Sequence, residues 1–150
     1  MIDRRNVILG LGAVALAAGC QSGPPKPSTV TINIAGQAGM NPGPGGGDRP
    51  VTVMIFRLKS AGAFNSADYF ALQGNAAGAL GADLVGSDQL AVAPGKSASK
   101  TITVEPEATT LGLVALIREP TGRTWRITKS VSPGSTVTIN AKLGSGGISA

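Results

Sequence analysis

Glu105 and Glu107 flank Pro106 in the stretch VEPEATT, and they are the nearest thing in this chain to a catalytic pair. Residues two apart in an extended backbone project to the same side, as two carboxylates must for acid–base work on a glycosidic bond. No aromatic platform for a sugar accompanies them, and the stretch reads as a polar turn between strands. The run GMNPGPGGGDRP (39–50) supplies the glycines of a phosphate cradle. A P-loop, however, requires Lys and Ser/Thr after its last glycine and then a helix. Here Asp48 follows and a β-branched run comes next, so the dinucleotide fingerprint fails as well. Histidine is absent and Cys20 is the only cysteine. That removes His-paired nucleophiles, intrachain disulfides and His or multi-Cys metal sites. The 8 acidic residues show no ligand-like spacing, so neither catalysis nor a cofactor or metal is expected.

What remains is a fold and an address. Aromatics are only 3% of a chain that is 42% hydrophobic, so its core must be built from Val, Ile, Leu and Ala. The net charge of +5 is spread along the chain, with no basic run interleaved with aromatics. Nucleic acid is therefore not an expected partner.

Arg4 and Arg5 open the chain with positive charge, and residues 7–18 form an uncharged apolar run. That run is too short to cross a bilayer, which takes about 20 apolar residues. Ala17, Ala18 and Gly19 then lead directly into Cys20, which is the layout of a signal peptide over 1–19. The ending resembles the lipobox of bacterial lipoproteins, whose cysteine is acylated and becomes the new N-terminus. The Leu usual three places before the cysteine is Ala17 here, with Leu16 one place earlier. Gln21, rather than Asp, follows the cysteine; the resemblance implies the outer membrane, lipid-anchored and facing the periplasm. Arg4-Arg5 also resembles a twin-arginine export signal, and the choice between export routes stays open. Residues 20–28 are polar and Pro-rich, an extended tether with roughly 25 Å of reach.

From residue 29 to 144 strand signals recur, and the fold expected is all-β, a two-sheet sandwich. Val30, Ile32 and Ile34 alternate with Thr31 and Asn33, while residues 51–58 (VTVMIFRL) are apolar on both faces, as in a central strand. Weaker or shorter strands are expected at 87–93 and 99–104, a buried one at 111–117, and half-exposed ones at 125–131 and 137–143. Leu113, Ala115 and Trp125 are expected inside, with Arg126 on the open face. Residues 61–86 are alanine-rich and read as a helical excursion, with Ser66 as its cap. Residues 145–150 read as a disordered tail.

Taken in order, several landmarks resemble a family. They are Asn41-Pro42, Asp48-Arg49-Pro50, Ile55 to Lys59, Phe64, Asp68-Tyr69-Phe70 with Leu72, Leu80 to Leu84, Pro94-Gly95, Leu111 to Ala115 and Trp125-Arg126. With the lipobox, they resemble the outer-membrane lipoprotein of type VI secretion, the TssJ family. Leu116-Ile117, where an aromatic before Arg118 is typical, and the glycine-rich first loop depart from the pattern.

The resemblance implies a transthyretin-like β-sandwich with a helical insertion, no catalysis, and lipidation at Cys20. It also implies a structural role: binding the periplasmic C-terminal domain of a TssM-like inner-membrane protein, and through it TssL. The loop between the first two strands is implicated in that contact. Here it spans 36–48, and its candidate contact residues are Gln37, Met40, Asn41, Pro42, Gly43 and Asp48. The glycine composition adds the expectation that this loop contributes little to stability. A generic periplasm-facing lipoprotein that binds carbohydrate or another ligand shares the fold and anchor, and stays open as an alternative.

Overall fold

Strict alternation makes β1 (Ser28–Gly36) a half-buried strand: Val30, Ile32 and Ile34 are fully buried, while Thr31 and Asn33 face outward. The computed structural model describes residues 23–150, so the segment carrying Cys20 lies outside the described residues. β1 lies inside its sheet. It runs antiparallel to β4 (Ser97–Val104) and parallel to β7 (Thr136–Gly144), and β8 (Gly147–Ser149) completes the order β4-β1-β7-β8.

The second sheet has the order β3-β2-β5-β6. Its strands are β2 (Val51–Leu58), β3 (Leu84–Val92), β5 (Thr110–Ala115) and β6 (Arg126–Ser130). The two sheets face each other as a β-sandwich. Val53 and Ile55 of β2 and Leu111, Leu113 and Ala115 of β5 fill the space between them, against Val30, Ile32 and Ile34.

β2 and β5 are apolar on both faces because a third layer covers the outside of their sheet. It comprises α1 (Gly62–Ser66), α2 (Tyr69–Gly74), α3 (Ala76–Leu80) and a 3-10 turn at Gly81–Asp83. Phe56, Leu58 and Val114 pack there against Phe64, Leu72 and Leu80. Gly112 is what lets the layer close on the sheet: a Cβ at that position would fall 2.6 Å from the Phe64 ring.

Four expectations need correction. Residues 145–150 are not a disordered tail: β8 pairs with β7, and Ile148 is buried in the sandwich. Gly147, at φ 107°, makes the reversal that allows this pairing, a conformation other residues adopt only with strain. Ser66 is not the helix cap. Its hydroxyl donates back to Gly62 O, and Asp68, in extended backbone, accepts the Ala71 N–H at 2.7 Å to start α2. Trp125 is only half buried, wedged at the seam where both apolar clusters meet. Arg126 is not a free surface residue, as its hydrogen bonds below establish.

A candidate partner-binding pole

β1 carries the chain across eight residue steps, roughly 26 Å, from one pole of the sandwich to the other. The chain enters β1 at the first pole, where the Ser28 hydroxyl donates to Ser132 O at 2.7 Å and accepts from the Ser135 N–H; the expected tether would join the domain here. At the second pole lie the loop between β1 and β2, the segment between β5 and β6, and α2. Sequence spacing alone did not bring these three together.

The β1–β2 loop is folded rather than slack. The Asp48 carboxylate accepts the N–H groups of Gly39 at 2.7 Å and Asn41 at 3.3 Å. Arg49 N–H returns to Asn41 O at 2.9 Å, and Pro42 and Asp48 form an isolated antiparallel bridge. The tip closes on itself, with Gly43 N–H to Gly47 O at 2.8 Å. Beneath the loop, Met40 is fully buried in the sandwich core. Its flexible thioether fills the space left at the end of the sheets, against Gly36, where a Cβ would approach Met40 Sδ at 3.0 Å.

The expected contact residues therefore divide. Gln37 is exposed and Pro42 and Asp48 are half exposed, whereas Met40, Asn41 and Gly43 are buried. Met40 cannot be an apolar contact for a partner as it stands, because the core already uses it. Against the expectation that the loop adds little to stability, Gly36, Met40 and Asn41 are buried and Asp48 accepts two backbone N–H groups. Residues 44–47 form the exposed tip.

Asn41 couples this loop to its neighbour: its Oδ1 accepts the Arg118 N–H at 2.8 Å, and its Nδ2 donates to Pro50 O at 3.4 Å. Arg123 adds a bond to Met40 O at 3.2 Å. The Tyr69 hydroxyl donates to Ile117 O at 2.7 Å, which ties α2 to the same segment. Burial pushes the Tyr69 phenol above its ordinary value, so it stays a neutral donor. Its ring meets Trp125 edge to face at 5.2 Å. Arg126 stacks on Trp125 at 4.5 Å and donates to the carbonyls of Phe64, Asn65 and Ala67 at 2.6 to 2.9 Å. Its planar fork thereby closes the end of α1 and holds the chain between α1 and α2. The sequence offered one signal for this, the adjacent Trp-Arg pair, but alternation along the strand assigned Arg126 to solvent.

The carboxylates at the other pole are structural. Arg57 donates to Asp88 and, at 2.8 Å, to Glu105, tying β2 to β3 and to the turn after β4. Burial alone would raise the Glu105 carboxyl. A backbone hydrogen bond, the Arg57 hydrogen bond and the Arg57 charge outweigh it and hold the carboxyl below its ordinary value. Glu105 is thus committed to Arg57, while Glu107 is exposed. Among the described residues, no group of three or more His, Cys, Asp or Glu is placed to hold a metal ion. No helix among them is long and apolar enough to cross a membrane.

Fold and pole together define a class, a β-sandwich braced by short helices on one sheet and carrying an ordered loop cluster at one end. Residues 28–146 match the family model described as type VI secretion lipoprotein (VasD, EvfM, TssJ), and the chain belongs to that family. It is similar to the T6SS lipoprotein TssJ1 from Pseudomonas aeruginosa, with 32% identity over 84% of this chain and 95% of that one and a TM-score of 0.73. Serratia marcescens Lip, a membrane-bound component of the type VI secretion system, shares the fold at 24% identity over 81% and 95%, with a TM-score of 0.75. A structure described as the T6SS protein TssM C-terminal domain from EAEC shares it at 22% identity over 81% and 95%, with a TM-score of 0.69. A comparison with curated proteins gives no match.

Proposed function

We propose that this chain is lipidated at Cys20, sits on the periplasmic face of the outer membrane, and holds the type VI membrane complex there. It does so by binding the periplasmic C-terminal domain of a TssM-like inner-membrane protein, and through that protein it is linked to TssL. One observation carries the reading. The ordered loop cluster lies a full strand length from the pole where the tether enters. A chain fixed to the membrane at residue 20 can therefore present that cluster toward the periplasm. The loops are locked by backbone hydrogen bonds, so little ordering entropy is lost on docking. Two or more acyl chains at one cysteine would make the attachment stable, where a single chain gives only marginal binding.

The test is fractionation followed by co-isolation. The wild-type chain is expected in the outer-membrane fraction after a high-salt wash, and its solubilisation is expected to bring the TssM-like protein with it. Cys20→Ala is expected to move the chain out of that fraction. Retention of the Cys20→Ala chain would overturn the anchor, and failure to co-isolate the TssM-like protein would overturn the binding role.

A further inference from the structure

Phe70 is 73% exposed and is the large hydrophobic residue that the described surface leaves open. It stands on α2 beside buried Tyr69, with their rings edge to face at 5.3 Å. Two clefts meet at this ring, of about 550 Å³ and about 380 Å³. Arg123 and Arg126 line the larger, and Arg49 and Arg118 the smaller. Five arginines occur among the described residues (Arg49, Arg57, Arg118, Arg123, Arg126), and four of them stand around this one aromatic side chain. The only acid lining either cleft is Asp68, whose carboxylate caps α2.

These arginines are not equivalent. Arg126 is committed to three carbonyls, and Arg123 to Met40 O. Arg49 and Arg118 are exposed; Arg49 has no ion pair among the described residues, and Arg118 has only neighbouring Glu119, at 3.3 Å. An open aromatic in a concave setting, flanked by two exposed guanidinium groups of which Arg118 makes only long contacts, to Glu119 at 3.3 Å and Pro42 O at 3.5 Å, is the composition of a binding hot spot. Guanidinium forks match carboxylates in a paired, directional way that lysines do not.

We infer that Phe70, with Arg49 and Arg118, forms a docking site for an acidic protein segment carrying one apolar side chain. The apolar group covers Phe70, and the carboxylates meet the two arginines. This inference rests on the binding role proposed above and assigns the segment to the TssM-like periplasmic domain. Place in the fold favours a protein over a lipid surface. α2 lies at the pole away from the tether, tied to it by the Tyr69 bond to Ile117 O.

Binding of the unlipidated mature chain to the TssM-like periplasmic C-terminal domain, titrated at low and high salt, tests the assignment. Phe70→Ser should weaken binding by about tenfold, or about 1.4 kcal/mol. The double variant R49E/R118E should weaken it at least as much and flatten its salt dependence, since surface charge pairs are screened. Lys59→Glu, an exposed charge reversal at the tether pole, should change neither. A wild-type chain that fails to bind would overturn the proposed function and this inference with it. A wild-type chain that binds while both pole variants match it would overturn the inference alone. Unchanged affinity with reduced binding of the Phe70→Ser chain to anionic vesicles would give the surface to the membrane and equally overturn it.

Discussion

Asn41 Oδ1 accepts the backbone N–H of Arg118 at 2.8 Å, joining two loops 77 residues apart in the chain. Asn41 is itself 93% buried, being 7% exposed, so its side-chain amide cannot fall back on water. That amide, together with the Arg123 bond to Met40 O, ties the β1–β2 loop to the β5–β6 segment as one surface.

Removing it should therefore be costly. Asn41→Ala is expected to destabilise the domain by about 1–3 kcal/mol, the cost of leaving a buried polar group unpaired. Met40→Ala should cost about 2–5 kcal/mol, as truncated core side chains do. Pro44→Ala and Gly45→Ser, at the exposed tip, should stay within about 0.5 kcal/mol. Denaturant titration of the four variants separates the locked base of the loop from its tip. Equal and negligible effects at Asn41 and Met40 would return the loop to the slack segment its composition suggests.

Gly112 is the second position where a small change should matter. With a Cβ placed 2.6 Å from the Phe64 ring, Gly112→Ala must displace α1 or the ring. Overpacking of this kind costs about 1–3 kcal/mol. Shortening the obstructing side chain should relieve it, so Gly112→Ala with Phe64→Leu should cost less than the two changes summed. Strict additivity in thermal unfolding would mean that the helical layer does not seat on Gly112.

The Arg57–Glu105 pair predicts an acid-side dependence. The Glu105 carboxyl is held below its ordinary value in the fold. A lowered carboxyl contributes stability above its unfolded value and loses it as pH falls through the folded one. The wild-type chain should thus lose stability as pH drops below 4.5, the ordinary carboxyl value. Glu105→Gln should be less stable at neutral pH and decline less steeply toward acid. Identical acid slopes for the two chains would remove Glu105 from the account.

Much of the sandwich was legible because its strands alternate or run apolar without interruption. Val51–Leu58 has the bounds its sequence suggests, and its two apolar faces become intelligible once the helical layer lies over one of them. β3 begins at Leu84 rather than 87 because its first residues pair with Leu58 and Arg57 through a bulge, which no local pattern announces. The last strand hid for a related reason: among glycines and serines, Ile148 is one apolar residue with no periodicity around it. Met40 hid in the same way inside the glycine run. The pole itself depends on hydrogen bonds between distant segments, such as Tyr69 with Ile117 and Arg126 with Phe64 to Ala67, and spacing within one segment carries no trace of those.

Which pole meets the partner is the central claim, and amide hydrogen exchange tests it most directly. The unlipidated mature chain would be compared alone and saturated with the TssM-like periplasmic C-terminal domain. Slowed exchange is predicted at 37–50, 69–74 and 116–125, with 105–109 and 131–135 at the tether pole unchanged. Protection confined to 105–109 and 131–135, or no protection at either pole in a saturated complex, would contradict the account.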